Sequence, residues 1–391
     1  MIKKAFSFIA IILLPLFTPV VPLQIYADDV QPPDINSQAA IVIDFDTGDV
    51  LFEKDAHAAK VPASLTKIMT TFIVYEEIEN GNLALDTLIP ISDYASEQYT
   101  SPNMEGNPLV NGSFHSLDTL LHLIMVPSSN GACVAVAEYI SGSEDAFVSR
   151  MNDTAKGLGL FSDFKNPHGV YAHDTNAYSM GMLVRELILR YPDVLRITSS
   201  RSIQFGGRTV LNTNLLYTRF PYAYADGFKT GTSSEAGFCL SSTAMRAGKR
   251  IVAVVMGAPD DEVRYEDSRV LLEYGFDETK RRDEIMKTAE SDKAEQDLIS
   301  IIPAITLLAV LAFGIYIVGI HSILPSRKRK YEEGVMQAIE SLKASIDILV
   351  GREELMSEAL RQSNDDQTAI DVKHLTTHES NLDFGSSLKE S

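Results

Sequence analysis

A stretch of 27 residues without Asp, Glu, Lys or Arg, residues 298–324, restricts more than any other feature what this chain can fold into. A helix needs about 20 apolar residues to cross the hydrocarbon core of a bilayer, so this stretch is long enough. The basic cluster Arg327–Lys330 follows directly, and such clusters stay on the cytoplasmic side. We therefore predict a transmembrane helix at 298–324 and a cytoplasmic tail at 325–391; a buried core helix is the alternative.

The first 27 residues have the pattern of a secretory signal peptide. Lys3 and Lys4 precede an apolar run, and Ala27 is placed to close a cleavage site. Three prolines within the run would break a long spanning helix. We predict a cleaved signal peptide at 1–27, with an uncleaved anchor as the alternative.

The part of the chain predicted to lie outside the membrane divides at about residue 277. Residues 28–277 have the composition of a globular domain, whereas residues 278–297 are highly charged and lack Gly and Pro, which indicates a stalk. The formal net charge is −19, and a nucleic-acid partner would require a basic surface instead. Cys133 and Cys239 stand in apolar runs outside any metal-ligand spacing. We predict buried free thiols, with a disulfide as the alternative, and we predict no metal site and no cofactor.

Strands at both ends of the predicted domain, with helices between them, indicate an α+β fold. Two short apolar strands flank Asp46–Asp49, which is a hairpin signal, and a second strand–turn–strand pattern turns at 247–249. A helical pattern starts near Pro62, and a short amphipathic helix over 266–274 is predicted to end near Gly275. The terminal strands would pair in one antiparallel sheet that helices cover.

Three short motifs contain the residues that could do chemistry. They are S-x-x-K at Ser64–Lys67, S-x-N at Ser128–Asn130 and K-T-G at Lys229–Gly231. The first two patterns also occur elsewhere, for example at Ser162–Lys165 and Ser101–Asn103, so neither is specific alone. All three in this order within one domain are specific, because chance rarely supplies the whole set.

The S-x-x-K spacing has a physical reason. Positions i and i+3 share one face of a helix, so Ser64 would lie in the first turn with Lys67 one turn below it. A neutral lysine there could take the hydroxyl proton as the serine attacks a carbonyl. Glycine at position 231 would let a substrate backbone approach the edge of a strand closely.

The ordered motif set resembles the one shared by penicillin-binding proteins and serine β-lactamases. Over about residues 36–277 the chain is similar to the low-molecular-mass D-alanyl-D-alanine carboxypeptidases, in stretches such as ASLTKIMT, LIMVPSSNGACVAVAEYISGSEDAFVSRMN and DGFKTGTSSEAGFCL. The resemblance implies a β-lactamase/transpeptidase-like domain, with an antiparallel sheet covered by helices, on the outside of a bacterial cell membrane. Two departures stand out. The family usually has Asp where this chain has Gly131, and many relatives carry a second, all-β domain where this chain has its charged stalk.

The resemblance implies catalytic roles for three residues. Ser64 would be acylated by the carbonyl of the penultimate D-alanine, and Lys67 would be its base. Such a lysine needs burial and a neighbouring cation for its pKa to fall towards neutrality, and Lys229 could be that cation. Ser128 would relay a proton to the nitrogen of the departing D-alanine.

Substrate binding is implied for the other motif residues. Asn130 would hold a peptide carbonyl. Lys229 and Thr230 would bind the terminal carboxylate, beside Gly231.

The positions around these motifs yield three further expectations. The backbone N–H groups of Ser64 and Thr232 would form the oxyanion hole. Arg264 is a further candidate for binding the carboxylate, with a plain surface arginine as the alternative. His168 is not predicted to be catalytic, because Asn-Pro-His-Gly is a turn pattern.

The predicted function is that of a serine-type D-alanyl-D-alanine carboxypeptidase. Its partners would be peptidoglycan stem peptides ending in D-Ala-D-Ala, β-lactam antibiotics and the membrane. The alternatives are a β-lactamase, a transpeptidase with the same motifs, and a catalytically weak penicillin-sensing or wall-binding receptor that signals through its tail.

The predicted tail has a pattern of its own. Apolar residues recur there at spacings of four and three, which indicates self-association through a short coiled coil or a lone amphipathic helix on the inner membrane face. These residues are Val335, Ile339, Leu342, Ile346, Leu349, Met356 and Leu360.

Overall fold

The core of the domain is a five-stranded antiparallel sheet. The structure, a computed structural model, describes residues 30–98, 104 and 109–322, together with a few residues between 333 and 344. The strands of the sheet are β1 Ala39–Asp44, β2 Val50–Lys54, β7 Ala225–Ser233, β8 Gly237–Arg246 and β9 Lys249–Ala258. Two small hairpins consist of β3 Leu88–Pro90 with β4 Phe114–Ser116, and of β5 Ser202–Phe205 with β6 Arg208–Leu211.

Helices account for most of the rest of the described chain. A 3₁₀ turn at Ala63–Thr66 leads directly into the first α-helix. The α-helices are α1 Lys67–Glu79, α2 Asp93–Glu97, α3 Leu117–Met125, α4 Asn130–Ser141, α5 Glu144–Gly157, α6 Ala177–Arg190, α7 Val194–Thr198 and α8 Asp261–Ser322.

The two ends of the domain meet in the middle of the sheet, whose strand order is β2-β1-β9-β8-β7. Strand β1 pairs antiparallel with β9, from Ala39 opposite Met256 to Asp44 opposite Ile251. The predicted pairing of the terminal strands in one antiparallel sheet is therefore confirmed. The predicted hairpin at Asp46–Asp49 is also confirmed, because it connects β1 to its antiparallel neighbour β2. Strand β7 is left at one edge of the sheet.

Both faces of the sheet are covered. All six residues of β1 are buried, and successive side chains of a strand point to opposite faces. Ile41 and Ile43 join the core formed with α1, α3, α4 and α6. Ala40 and Val42 join a second core, on the side of α8. The α+β class with helices covering an antiparallel sheet is confirmed.

Helix α8 differs from the short helix predicted over 266–274. It continues through Gly275 without a break, so the predicted end near this glycine is wrong. A Cβ at position 275 would lie 2.6 Å from Ile251 Cγ2 and 2.9 Å from Val42 Cγ1. The glycine therefore lets the helix pack closely against the sheet, a use of glycine that its missing side chain allows.

By length and composition, α8 could cross a membrane. None of its most apolar 18-residue window is buried in the domain, whereas Tyr265, Leu271 and Leu272 near its start are buried against the sheet. Residues 278–297 belong to the same helix. The charged segment is thus helical and continuous with both the domain and the apolar segment.

Three of the predicted segments lie wholly or mainly outside the described residues. The predicted signal peptide at 1–27 is one of them. The basic cluster Arg327–Lys330 and the predicted tail seam from Val335 to Leu360 also lie outside. These expectations stay predictions.

Candidate active site

Ser64 lies in the 3₁₀ turn that precedes α1, and its side chain is half-buried. The residue before it, Ala63, has a φ of +47°, in a region that residues with a Cβ rarely adopt. A Cβ at position 169 would lie 1.9 Å from the Ala63 carbonyl oxygen, so Gly169 packs directly against this turn. Such strained backbone persists only where its surroundings hold it, and it clusters at active sites.

Lys67 is fully buried directly beneath the serine. Its Nζ donates to Ser64 Oγ at 2.9 Å, to Asn130 Oδ1 at 2.8 Å and to the carbonyl oxygen of His168 at 2.7 Å. Burial lowers the pKa of Lys67 to about 8, because a low-dielectric environment disfavours the charged amine. The structure therefore brings the serine and the lysine of S-x-x-K into hydrogen-bond contact.

The Asn-Pro-His-Gly turn holds the third partner of Lys67. Asn166 Oδ1 accepts hydrogen bonds from the backbone N–H groups of Gly169 at 2.5 Å and of His168 and Val170 at 3.2 Å each. The turn thereby presents the His168 carbonyl to the lysine. The His168 ring accepts from the Val170 N–H, and burial lowers the pKa of this histidine to about 3. A neutral, buried ring engaged with its own turn agrees with the structural role expected from the sequence.

The S-x-N motif lies at the junction between α3 and α4. Ser128 has a φ of +67° and lines the same cavity as Ser64. The middle serine caps α4, because Ser129 Oγ accepts from the Ala132 N–H at 3.2 Å. The cap places Asn130 in the first turn of α4, from which its amide reaches Lys67.

The first position after S-x-N is tightly packed. A Cβ on Gly131 would lie 2.4 Å from the Ala95 carbonyl oxygen and 3.4 Å from Leu109 Cδ1. Helix α2 therefore rests directly against the start of α4, in space that any side chain would need. An aspartate at this position, as the family usually has, would require α2 to move.

The K-T-G motif lies within the edge strand β7 and precedes strand β8. Lys229 is fully buried, and its Nζ donates to the Thr230 carbonyl oxygen at 3.0 Å. Thr230 Oγ1 donates to Thr213 Oγ1 at 2.7 Å. Burial is the main cause that lowers the pKa of Lys229 well below its usual value, and the charge of Lys67 lowers it further.

The packing of the protein itself also requires glycine at position 231. A Cβ there would lie 2.6 Å from the Pro62 carbonyl oxygen and 3.3 Å from the Ser64 backbone nitrogen. The glycine lets the edge strand pack against the turn that contains the nucleophile. The close approach is thus made by the protein's own backbone, and it brings the K-T-G strand next to the Ser64 N–H.

Arg264 lies beside the K-T-G strand. Its Nη1 donates to Thr232 Oγ1 at 2.9 Å and to the Gly231 carbonyl oxygen at 3.3 Å. The guanidinium is buried and forms an ion pair with Asp261 one helical turn earlier. The structure therefore does not support the alternative of a plain surface arginine.

One open cavity of about 710 Å³ brings most of these groups together. Ser64, Ser128, Asn130, Thr230, Thr232 and Arg264 line it, whereas Lys67, Lys229 and Gly231 stand behind its surface. Further lining residues were not predicted from the sequence. They are Gly169, Val170, Leu211, Asn212, Thr213, Leu215, Ser233 and Asp261.

Among these additional residues, Asp261 could have been found from the sequence. It stands three residues before Arg264 on one helix, a spacing at which opposite charges meet. Thr213 could not have been found from the sequence, since no motif contains it. Its hydrogen bond to Thr230 depends on the fold alone.

Within the described part of the chain, no group of three or more His, Cys, Asp or Glu side chains is placed to hold a metal ion. Both cysteines are buried and free, as predicted. Burial raises the pKa of each thiol to about 11, so neither is a reactive thiolate at neutral pH.

Fold and site together define the class of serine acyl-transfer enzymes that contains penicillin-binding proteins and serine β-lactamases. A family model described as D-alanyl-D-alanine carboxypeptidase matches residues 27–260. The chain therefore belongs to the peptidase S11 family of D-alanyl-D-alanine carboxypeptidases, which confirms the resemblance noted in the sequence.

Individual relatives agree with this placement. The chain is 32% identical over 278 residues to the D-alanyl-D-alanine carboxypeptidase DacF of Bacillus subtilis, covering 68% of this chain and 70% of that one. It is 35% identical over 252 residues to DacD of Salmonella typhimurium, covering 63% of this chain and 64% of the relative.

Solved structures show the same fold. Penicillin-binding protein 6B from Escherichia coli matches with a TM-score of 0.58 and 34% identity, covering 62% of this chain and 78% of that one. Penicillin-binding protein D2 from Listeria monocytogenes, in its ampicillin-bound form, matches with a TM-score of 0.56 and 29% identity, covering 63% of this chain and 100% of that chain.

Proposed function

We propose that this chain is a penicillin-sensitive D-alanyl-D-alanine carboxypeptidase that removes the terminal D-alanine from peptidoglycan pentapeptide stems through an acyl-enzyme on Ser64. The observation that carries the proposal is the environment of Lys67. The amine is buried, lies 2.9 Å from Ser64 Oγ and has a pKa lowered to about 8. A base of this strength is partly neutral at physiological pH, as proton abstraction from a serine requires.

In the acylation step, Ser64 Oγ would attack the carbonyl carbon of the penultimate D-alanine while Lys67 Nζ takes the hydroxyl proton. The backbone N–H groups of Ser64 and Thr232 would bind the oxyanion, an interaction worth about 3–4 kcal/mol per donor in comparable sites. The C–N bond then breaks. The leaving nitrogen of D-alanine receives a proton through Ser128, which lines the same cavity.

In the deacylation step, water attacks the ester carbonyl on Ser64. Lys67 would again act as the base, and the proton returns to Ser64 Oγ when the ester bond breaks. Departure of the free D-alanine opens the path along which the water approaches. A β-lactam keeps its leaving amine tethered, so its adduct would block that path.

Binding of the substrate would use the groups around the edge strand. Thr230, Thr232 and Arg264 line the cavity and would bind the terminal carboxylate, with the buried amine of Lys229 and the Gly231 backbone behind them. Arg264 suits this role because the carboxylate would meet a guanidinium already fixed by hydrogen bonds.

Asn130 would orient the peptide. Its Oδ1 is occupied by Lys67, which leaves its amide N–H groups to donate to a carbonyl of the substrate.

A β-lactamase is less well supported than a carboxypeptidase. Fast hydrolysis of a penicilloyl ester in class A enzymes requires a glutamate that activates water. Of the described residues that line the cavity, the one carboxylate is Asp261, which is ion-paired with Arg264. The receptor alternative does not explain two buried lysines, because burying amines is costly and a binder has no need of a base.

The chain segments outside the domain complete the proposal. We assign 1–27 to a signal peptide, 28–277 to the extracytoplasmic catalytic domain, 298–324 to a single membrane span and 325–391 to a cytoplasmic tail that would self-associate through its apolar seam. Residues 278–297 would be a helical stalk. Continuity of α8 with the domain supports this order.

Product analysis on a D-Ala-D-Ala pentapeptide tests the function. Free D-alanine without cross-linked product is expected. Cross-links would identify a transpeptidase, and an absence of turnover would identify a receptor.

The variant Ser64→Ala should lose both D-alanine release and covalent penicillin labelling while keeping its circular-dichroism spectrum. A penicillin adduct mapped by mass spectrometry to another residue would refute the assignment of the nucleophile.

A further inference from the structure

A basic segment borders the active-site cavity of an otherwise acidic chain. Residues 194–225 contain four arginines and no Asp, Glu or Lys, whereas the whole chain carries a formal net charge of −19. Arg196 is ion-paired. The other three, Arg201, Arg208 and Arg219, are exposed and form no ion pair with a described residue. We call these three residues the basic strip.

Arg201 lies directly before the β5–β6 hairpin, Arg208 lies within it, and the hairpin ends at the cavity wall. Leu211 and Asn212 line the cavity. The Asn212 N–H donates to the Arg201 carbonyl oxygen at 2.9 Å, which places Arg201 directly beside the wall. Arg208 begins strand β6, whose last residue, Leu211, lines the wall.

The third arginine flanks the other end of the same wall. Leu215 also lines the cavity, and its carbonyl oxygen accepts from the N–H groups of Thr218 at 3.1 Å and Phe220 at 3.0 Å. These bonds fold the chain back so that Arg219 lies next to the wall. Its guanidinium lies 5.0 Å from the centroid of the Phe220 ring, which restricts where the charge can be.

The wall itself is firmly anchored. The Asn212 side chain donates to the Ser200 carbonyl oxygen at 2.8 Å, and its Oδ1 accepts from the Asn214 N–H at 2.8 Å. The Thr213 N–H donates to the Val126 carbonyl oxygen at 3.0 Å. The backbone of the wall is thus held in place, and the three exposed arginines lie on the segments that flank it.

We propose that the basic strip is a subsite for carboxylates in the acyl-donor part of the stem peptide, the part that precedes the reacting D-alanine. The inference rests on the proposed function. The carboxylate of the leaving D-alanine is assigned to the K-T-G strand and Arg264, so cations on the hairpin wall would meet a different part of the substrate. Their charge favours a free carboxylate over the same group as an amide, since a cleft of one sign concentrates ligands of the opposite sign.

The preference should be modest and sensitive to salt. Ion pairs between exposed groups are weak, and salt screens them. Three such cations acting on one or two carboxylates should give a roughly threefold to tenfold preference in kcat/KM at low ionic strength. The preference should shrink as the salt concentration is raised.

A matched pair of peptides tests the proposal. L-Ala-γ-D-Glu-L-Lys-D-Ala-D-Ala is compared with the same peptide in which the α-carboxylate of the glutamyl residue is an amide. The ratio of kcat/KM for acid over amide is measured for the wild type and for a strip variant with Arg201→Gln, Arg208→Gln and Arg219→Gln. A stalk variant with Lys280→Gln, Lys287→Gln and Lys293→Gln loses the same charge elsewhere.

The expected result is a ratio above one for the wild type and the stalk variant, and close to one for the strip variant. Should the triple variant fail to fold, as judged by penicillin labelling stoichiometry, the three single variants should each lower the ratio part of the way. A ratio that is unchanged in the strip variant would overturn the proposal.

A further measurement distinguishes an anionic cell-wall polymer from the stem peptide as the ligand of the basic strip. If the strip variant loses binding to poly(glycerol phosphate) while its acid-to-amide ratio stays at the wild-type value, the strip serves an anionic polymer and the proposal is wrong. Failure of the proposed function looks different, because then neither peptide would be hydrolysed by the wild type.

Discussion

The rate at which Ser64 is acylated should follow the deprotonation of Lys67. Burial lowers the pKa of this lysine from 10.5 to about 8, and only the neutral amine can accept the serine proton. The neutral fraction is then about 1% at pH 6, about 9% at pH 7, about 50% at pH 8 and about 91% at pH 9. Acylation should therefore weaken as the pH falls through the pKa, because the base becomes protonated.

These fractions set the size of the effect. The second-order rate constant for acylation by penicillin should rise about ninefold from pH 6 to 7, about fivefold from pH 7 to 8 and less than twofold from pH 8 to 9. An exposed lysine with an ordinary pKa of about 10.5 would instead give close to tenfold at every step. The step from pH 8 to 9 therefore distinguishes a buried base from an ordinary one.

Stopped-flow labelling with a fluorescent penicillin measures the rate constant at each pH, with circular dichroism recorded in parallel to exclude unfolding. The variant Lys67→Arg is the control, since a guanidinium stays charged over the whole range and should abolish labelling throughout. A wild-type rate that does not change between pH 6 and 9, or one that still rises tenfold between pH 8 and 9, would refute the assignment of Lys67 as the base.

Three further predictions follow from the site and the long helix. Gly131→Ala should lower the free energy of unfolding by about 1–3 kcal/mol, because its Cβ would lie 2.4 Å from the Ala95 carbonyl oxygen; chemical denaturation measures this, and Gly157→Ala, which meets nothing within 4 Å, should change little. The penicilloyl adduct on Ser64 should persist for minutes, since its tethered amine blocks the path of water and the cavity lacks the water-activating glutamate of class A β-lactamases among its described lining residues; mass spectrometry follows its decay, and turnover many times per second would favour a lactamase. Protease added to intact protoplasts should remove the domain and spare a C-terminal tag; equally fast loss of the tag would overturn the proposed orientation.

Local patterns were sufficient to predict the frame of the domain. The turn at Ala247 and Gly248 joins β8 to β9 as the sequence indicated, and both residues have a positive φ, which suits the two-residue turns of hairpins. The S-x-x-K spacing likewise predicted the contact of Ser64 with Lys67. In both cases residues close in sequence decide the geometry.

Long-range backbone contacts could not be predicted in this way. The carbonyl of His168 accepts a hydrogen bond from Lys67 across 101 positions of sequence, and a carbonyl has no side-chain signature. The fit of Gly231 against Pro62 depends on how β7 packs against the turn before α1. Gly275 is ambiguous in the sequence, because a glycine suits either the end of a helix or a close contact with a neighbouring element. Only the packing of the helix against the sheet shows that the second applies here.

The two buried lysines of the site have lowered pKa values for related but different reasons. The sequence led us to expect that burial and a neighbouring cation would lower the pKa of Lys67; burial is the cause that lowers it, and the charge of Lys67 also lowers the pKa of Lys229. The three hydrogen-bond acceptors around Lys67 favour its charged form, so burial is what keeps the amine partly neutral. A substrate carboxylate bound beside Thr230 would supply an anion near Lys229 and favour its protonated form. The anion and the protonated Lys229 would offset each other's effect on Lys67, so burial would still keep the base partly neutral when Ser64 needs it.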